Sequence, residues 1–247
     1  MTVTPSGSGG AATLAADVKT VAAKTLDAAE GALAKAANDP GLQYTFYLLT
    51  QIVLAARDQD WRQRLGNVGI PLPEDASAFD LSVSLQAAID DRVREHGGAT
   101  DVSEMAQQAA GEALASLTRG KTETLFGGGR EELLGALRGL STSNGFGALG
   151  QRFFGCFIAR LLNFYLSRAT AAGVGSAPLP DTGAISQFND TLRLHCDQSA
   201  RVVRDFCGGW LSKTEYEQGI TPRNTAGFLR IALRKLRDEI TQQRNAV

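Results

Sequence analysis

The chain has 247 residues, 43% of them apolar, and a formal net charge of −1. That length and apolar content can bury one large core or two small ones. The near-zero charge excludes binding of nucleic acid or anionic membrane through the protein's overall field. Three cysteines, Cys156, Cys196 and Cys207, are an odd number set in apolar stretches. They point to a reducing, cytoplasmic setting, with thiols used as small core residues, and the excess of Arg over Lys with abundant Ala fits a bacterial source.

The small net charge hides an asymmetry. Residues 1–150 carry 12 Lys and Arg against 18 Asp and Glu, a net of −6, whereas residues 151–247 carry 13 against 8, a net of +5. Such halves attract each other within one chain, pack head to tail in an oligomer, or leave a basic binding face on the second half.

Residues 1–10, made of Gly, Ser and Thr with one Pro and no signal-like apolar run, read as a disordered tail. An Ala-rich helix is expected over 11–37, where Leu14, Val18, Val21, Thr25, Ala28 and Ala32 form one thin stripe. Asp39 and Pro40 start the next helix, about 42–65. From Pro40 to Ala56 no residue is charged. This run falls short of the roughly 20 apolar residues of a membrane span and carries Gln43, Thr45, Thr50 and Gln51, so it reads as a buried helix.

Gly69, Pro71 and Pro73 mark a long connection over 66–82. Helices follow at about 82–96 and 101–118, the second capped from Thr100 or Asp101 with Glu104 completing a capping box. Residues 121–129 form a glycine-ended loop, 130–140 a short helix and 141–147 a second break. The most apolar helix is expected over 148–171. Phe153, Phe154, Phe157, Ile158, Leu161, Leu162, Phe164, Tyr165 and Leu166 cover most of its circumference, leaving a polar stripe of Arg152, Cys156, Arg160, Asn163 and Ser167. A helix apolar nearly all round belongs at the centre of a bundle.

After a Pro- and Gly-containing linker over 173–181, a helix over 183–212 sets Phe188, Leu192, His195, Ser199, Val202, Phe206 and Trp210 on one face. Arg193, Asp197, Arg201 and Asp205 form a solvated charge ladder on another. Thr221-Pro222 opens the last helix, which runs to about Arg244 with Leu229, Leu233, Leu236 and Ile240 as its core stripe. No strand-period segment occurs. The expectation is an all-α, irregular bundle of about seven to eight helices around the central apolar helix 148–171. An acidic helical part (11–140) and a basic helical part (141–247) pack as one domain.

Motifs that would carry chemistry fail on their own requirements. Gly120-Lys121-Thr122 lacks the first glycine of a phosphate-binding loop, since Ala115 stands there inside a helix. Gly127-Gly128-Gly129 precedes a helix whose first turn holds Glu131 and Glu132, which repel an anion. His195, Cys196 and Cys207 have neither the spacing nor the facing of a dyad or a metal site. No catalytic residue, metal or cofactor is assigned.

Two surfaces remain. Arg160 and Asn163 on the central helix, with His195, form a polar seam that could line a pocket and anchor an anion. Arg223, Arg230, Arg234, Arg237 and Arg244 align on one side of the last helix and suit an acidic protein or a phosphate backbone. The leading expectation is a non-enzymatic interaction or structural subunit of a larger assembly, with a protein partner or self-association. The alternatives are nucleic-acid binding through the last helix, a sensor or enzyme with a pocket at Arg160 and Asn163, and a membrane-active effector using 40–56 or 148–171.

Overall fold

The computed structural model describes residues 31–118, 129–172 and 182–245. The expected tail over 1–10, most of the Ala-rich stripe, the glycine triplet up to Gly128 and the 173–181 linker lie outside the described residues. The remainder is all-α: helical residues at 31–36, then α1 (Pro40–Ala55), α2 (Trp61–Asn67), α3 (Ala78–Glu95), α4 (Asp101–Thr118), α5 (Arg130–Leu140), α6 (Ser143–Ala172), α7 (Thr182–Ser199), a 3-10 turn (Ala200–Val203), α8 (Arg204–Glu217) and α9 (Pro222–Asn245). No strand occurs among the described residues.

The start of α1 shows why this sequence folds here. The Asp39 carboxylate accepts the Leu42 N–H at 2.8 Å, and Pro40 occupies the first turn, where a missing N–H costs nothing. The other Asp39 oxygen accepts the Thr100 hydroxyl at 2.7 Å. Thr100 caps α4 reciprocally with Ser103: each hydroxyl oxygen accepts the other residue's N–H, at 2.9 and 2.8 Å. Ser103 therefore takes the role expected of Glu104. It does so because the cap is Thr100, from which Ser103 is the third helical residue; α4 also crosses close to Gly41, where an added Cβ would collide with the Ser103 side chain.

α1 and α6 share the centre. Twelve of the 16 residues of α1 are buried, so the uncharged run is a core helix. In α6, the residues Phe153–Ala159 are all buried. Phe46 of α1 is the hub between them. Its ring stacks on Phe228 of α9 at 5.3 Å and meets Phe153 and Phe154 of α6 at 5.4 Å each. Trp210 of α8 lies 4.3 Å from Phe228, and Phe206 lies 5.0 Å from it. Each such pair adds about 0.5–1.5 kcal/mol beyond area burial, so these rings fasten four helices at one point.

Three boundaries differ from the periodicity reading. The helix expected over 42–65 breaks after Ala55, where the N–H groups of Arg57 and Asp58 turn back to the carbonyls of Leu54 and Ala55. A guanidinium satisfies a freed carbonyl there: Arg138 Nε donates to Ala56 O at 3.1 Å, and in exchange Arg57 donates to Ser141 O at the end of α5.

The break expected at 141–147 is confined to Ser141 and Thr142, and residues 143–147 are the start of α6. Gly145 and Gly147 lie inside that helix because neighbouring backbone passes beside them: an added Cβ would stand 2.8 Å from Leu140 Cα and 2.7 Å from Arg204 O. Glycine here serves close approach rather than a turn.

The helix expected over 183–212 is interrupted by the 3-10 turn at 200–203. The turn winds more tightly than an α-helix, yet burial keeps helical spacing across it. Burial falls on Cys196, Ala200, Val203, Cys207 and Leu211, leaving Val202 exposed. His195 is exposed too, which corrects its expected place on the apolar face.

Candidate functional site

The polar stripe of α6 meets carboxylates on both neighbouring helices. Glu112, from α4, accepts Arg160 Nη2 at 2.8 Å and Arg152 Nη2 at 3.3 Å, and it pairs with Arg193 of α7 as well. Arg152 also reaches Asp197 of α7 at 3.7 Å. Gln151 donates to the Asp197 carbonyl at 3.1 Å, and Arg160 Nε donates to Gln108 at 3.2 Å. The helices come this close because Gly155 has no side chain: a Cβ there would touch Asp197 Cα at 3.0 Å.

Burial pushes the Glu112 carboxyl up. The hydrogen bond and charge of Arg160, the charge of Arg193 and a hydrogen bond from Cys156 outweigh that effect, so its pKa lies below the ordinary value. The expected ladder of Arg193, Asp197, Arg201 and Asp205 is thus no plain solvated face, since Arg193 and Asp197 tie α7 to α4 and α6.

Of the seam residues, Arg160 is held by Glu112 and Gln108. Asn163 is half-buried, its carbonyl accepting the Ser167 hydroxyl at 2.8 Å. His195 is exposed, its carbonyl accepting from Ser199 at 2.9 Å. No side-chain hydrogen bond joins these three among the described residues. A surface cleft of about 490 Å³ lies elsewhere, between Trp61, Arg62, Leu72 and Arg130. Sequence reasoning missed the Glu112 cluster because its partners lie 40, 48 and 81 positions away along the chain.

The three thiols are free and buried. Cys156 is pushed up to about 11 and Cys196 to about 12, and the wholly buried Cys207 is raised further, each chiefly by desolvation. Among the described residues, no three His, Cys, Asp or Glu are grouped to hold a metal ion. No described helix is long and apolar enough to cross a membrane.

The α9 row is arranged differently. Phe228, Leu229, Ala232, Leu233, Leu236 and Ile240 are buried, which turns the opposite face outward. Arg223, Arg230 and Arg234 are exposed and form no ion pair among the described residues. Arg237 is half-buried and paired with Asp238 at 2.9 Å, and the side chain of Arg244 lies outside the described residues. Ile231, 39% exposed, borders the row. Lys235 sits 5.6 Å above the Phe206 ring.

Compared with protein-family models, curated proteins and solved structures, the chain shows no significant match.

Proposed function

We propose that this protein is a non-enzymatic helical interaction subunit, and that the outward face of α9 engages an acidic protein surface. One observation carries the reading. Five arginines of other helices and turns are occupied: Arg57 and Arg138 on carbonyls, and Arg152, Arg160 and Arg193 on Glu112. Arg223, Arg230 and Arg234 are exposed on a helix anchored by its other face, with no carboxylate partner among the described residues. Arginine beside an exposed aliphatic side chain, here Ile231, is a composition favoured at protein interfaces.

A second reading, nucleic-acid binding, draws on the straightness of the row. Its members lie about 10 and 6 Å apart along the helix axis, on the scale of a phosphate backbone. No aromatic side chain interleaves with them to stack bases.

Fluorescence anisotropy with a labelled acidic polypeptide and a labelled DNA duplex tests both. The expected result is salt-sensitive binding of the polypeptide that weakens about tenfold or more when Arg223, Arg230 and Arg234 become Ala. Binding unaffected by that triple change overturns the assignment of this surface. Preferential binding of the duplex, lost with the same change, moves the function to the second reading.

A further inference from the structure

A second apolar patch lies on α3 with the opposite electrostatic character. Phe79 is 74% exposed and Val83 is 51% exposed. They stand four residues apart and so share one helix face, which continues through exposed Ala87 and Asp91. Glu74 and Asp75, in the loop that enters α3, are exposed and form no ion pair among the described residues. Lone exposed apolar side chains are ordinary, whereas these two stand together on one helix face.

The α9 surface mirrors this arrangement. Ile231 is 39% exposed, bordered by Arg230 and Arg234. Both patches have an apolar centre and a charged rim, and the rims differ in sign. The two helices each pack against α1, so both surfaces belong to one folded unit.

We infer that the acidic protein surface recognised by α9 is the α3 face of a second copy of this chain, in a head-to-tail interface. The inference rests on the interaction reading above and names its partner. Charge complementarity selects this occupant. The α3 rim carries exposed Glu74 and Asp75 and the α9 rim exposed Arg223, Arg230 and Arg234, so like faces of two copies repel and unlike faces attract. A contact between two different patches is heterologous. It propagates into a ring or an open filament rather than stopping at a two-fold dimer.

The test uses the full chain in light scattering across a concentration series, at low and at high salt. The wild type is expected to grow beyond 26.2 kDa as concentration rises and to return towards one chain mass in high salt, where the rims are screened. One variant carries Arg230→Glu and Arg234→Glu, and a second carries Phe79→Ser and Val83→Ser. All four side chains are exposed to solvent, and circular dichroism verifies that each variant stays folded.

Each variant alone is expected to be monomeric. Mixed, they are expected to give a species of two chain masses and nothing larger, since the first keeps a working α3 face and the second a working α9 face. A wild type that stays monomeric at high concentration while still binding acidic polypeptide through α9 overturns the second-copy inference and leaves the interaction reading standing. A mixture that stays monomeric, or variants that associate like the wild type, shows that these faces do not pair with each other.

Discussion

Glu112 and Arg160 meet at 2.8 Å across the crossing of α4 and α6, and the same carboxylate also holds Arg152 and Arg193. One side chain therefore balances three guanidiniums from two helices. The cluster is partly shielded from water, with the Glu112 side chain 22% exposed, so it lies between a surface pair and a buried one in strength.

Replacing Glu112 by Gln is expected to cost about 1–2 kcal/mol, because three cations lose their shared counter-charge. Urea unfolding followed by circular dichroism measures it. A change near zero would mean that solvent and Asp197 already compensate the arginines.

The pH dependence follows from the same residue. The Glu112 pKa is lower folded than unfolded, so its stabilisation is present above the unfolded value, near the ordinary 4.5. That stabilisation disappears as pH falls through the lower folded pKa. Wild-type stability should decline across that acid window, and the Glu112→Gln variant should show a shallower decline. Parallel acid limbs would remove Glu112 as a contributor.

Neighbouring glycines in α8 should respond oppositely to the same change. A Cβ at Gly208 would collide with Ser143, its carbonyl carbon 2.9 Å away, whereas at Gly209 nothing lies within 4 Å. Gly208→Ala is expected to destabilise by about 1–3 kcal/mol through overpacking. Gly209→Ala should stabilise by roughly 0.5–1 kcal/mol through helix propensity. Thermal melts of the two variants give the comparison, and equal shifts of one sign would contradict the packing described.

The three thiols should resist a disulfide reagent at pH 8 in the folded protein and all react once the chain is unfolded. Burial both blocks access and keeps them protonated. Counting the thiolate released by the reagent, with and without denaturant, checks this. Fast labelling of Cys156 in the native protein would show that α6 and α7 part readily.

The sequence by itself determined that the described chain is helical, that the uncharged run after Pro40 and the Phe-rich segment at 153–162 are interior, and that α9 turns its Leu229, Leu233, Leu236 and Ile240 stripe inward. These are local properties: the spacing of apolar side chains along one helix decides which face leaves water, whatever it packs against. Tertiary structure alone decided where helices end and which polar residues meet. Gly145 and Gly147 look like a break until a passing backbone gives them a packing role. His195 looks like a core-edge residue until packing puts Cys196 and Ser199, on the neighbouring line of the same helix, against the bundle. Arg160 looks like a free anchor until Glu112 arrives from another helix. Such outcomes depend on distances between segments far apart in the chain, and helical periodicity carries no information about those distances.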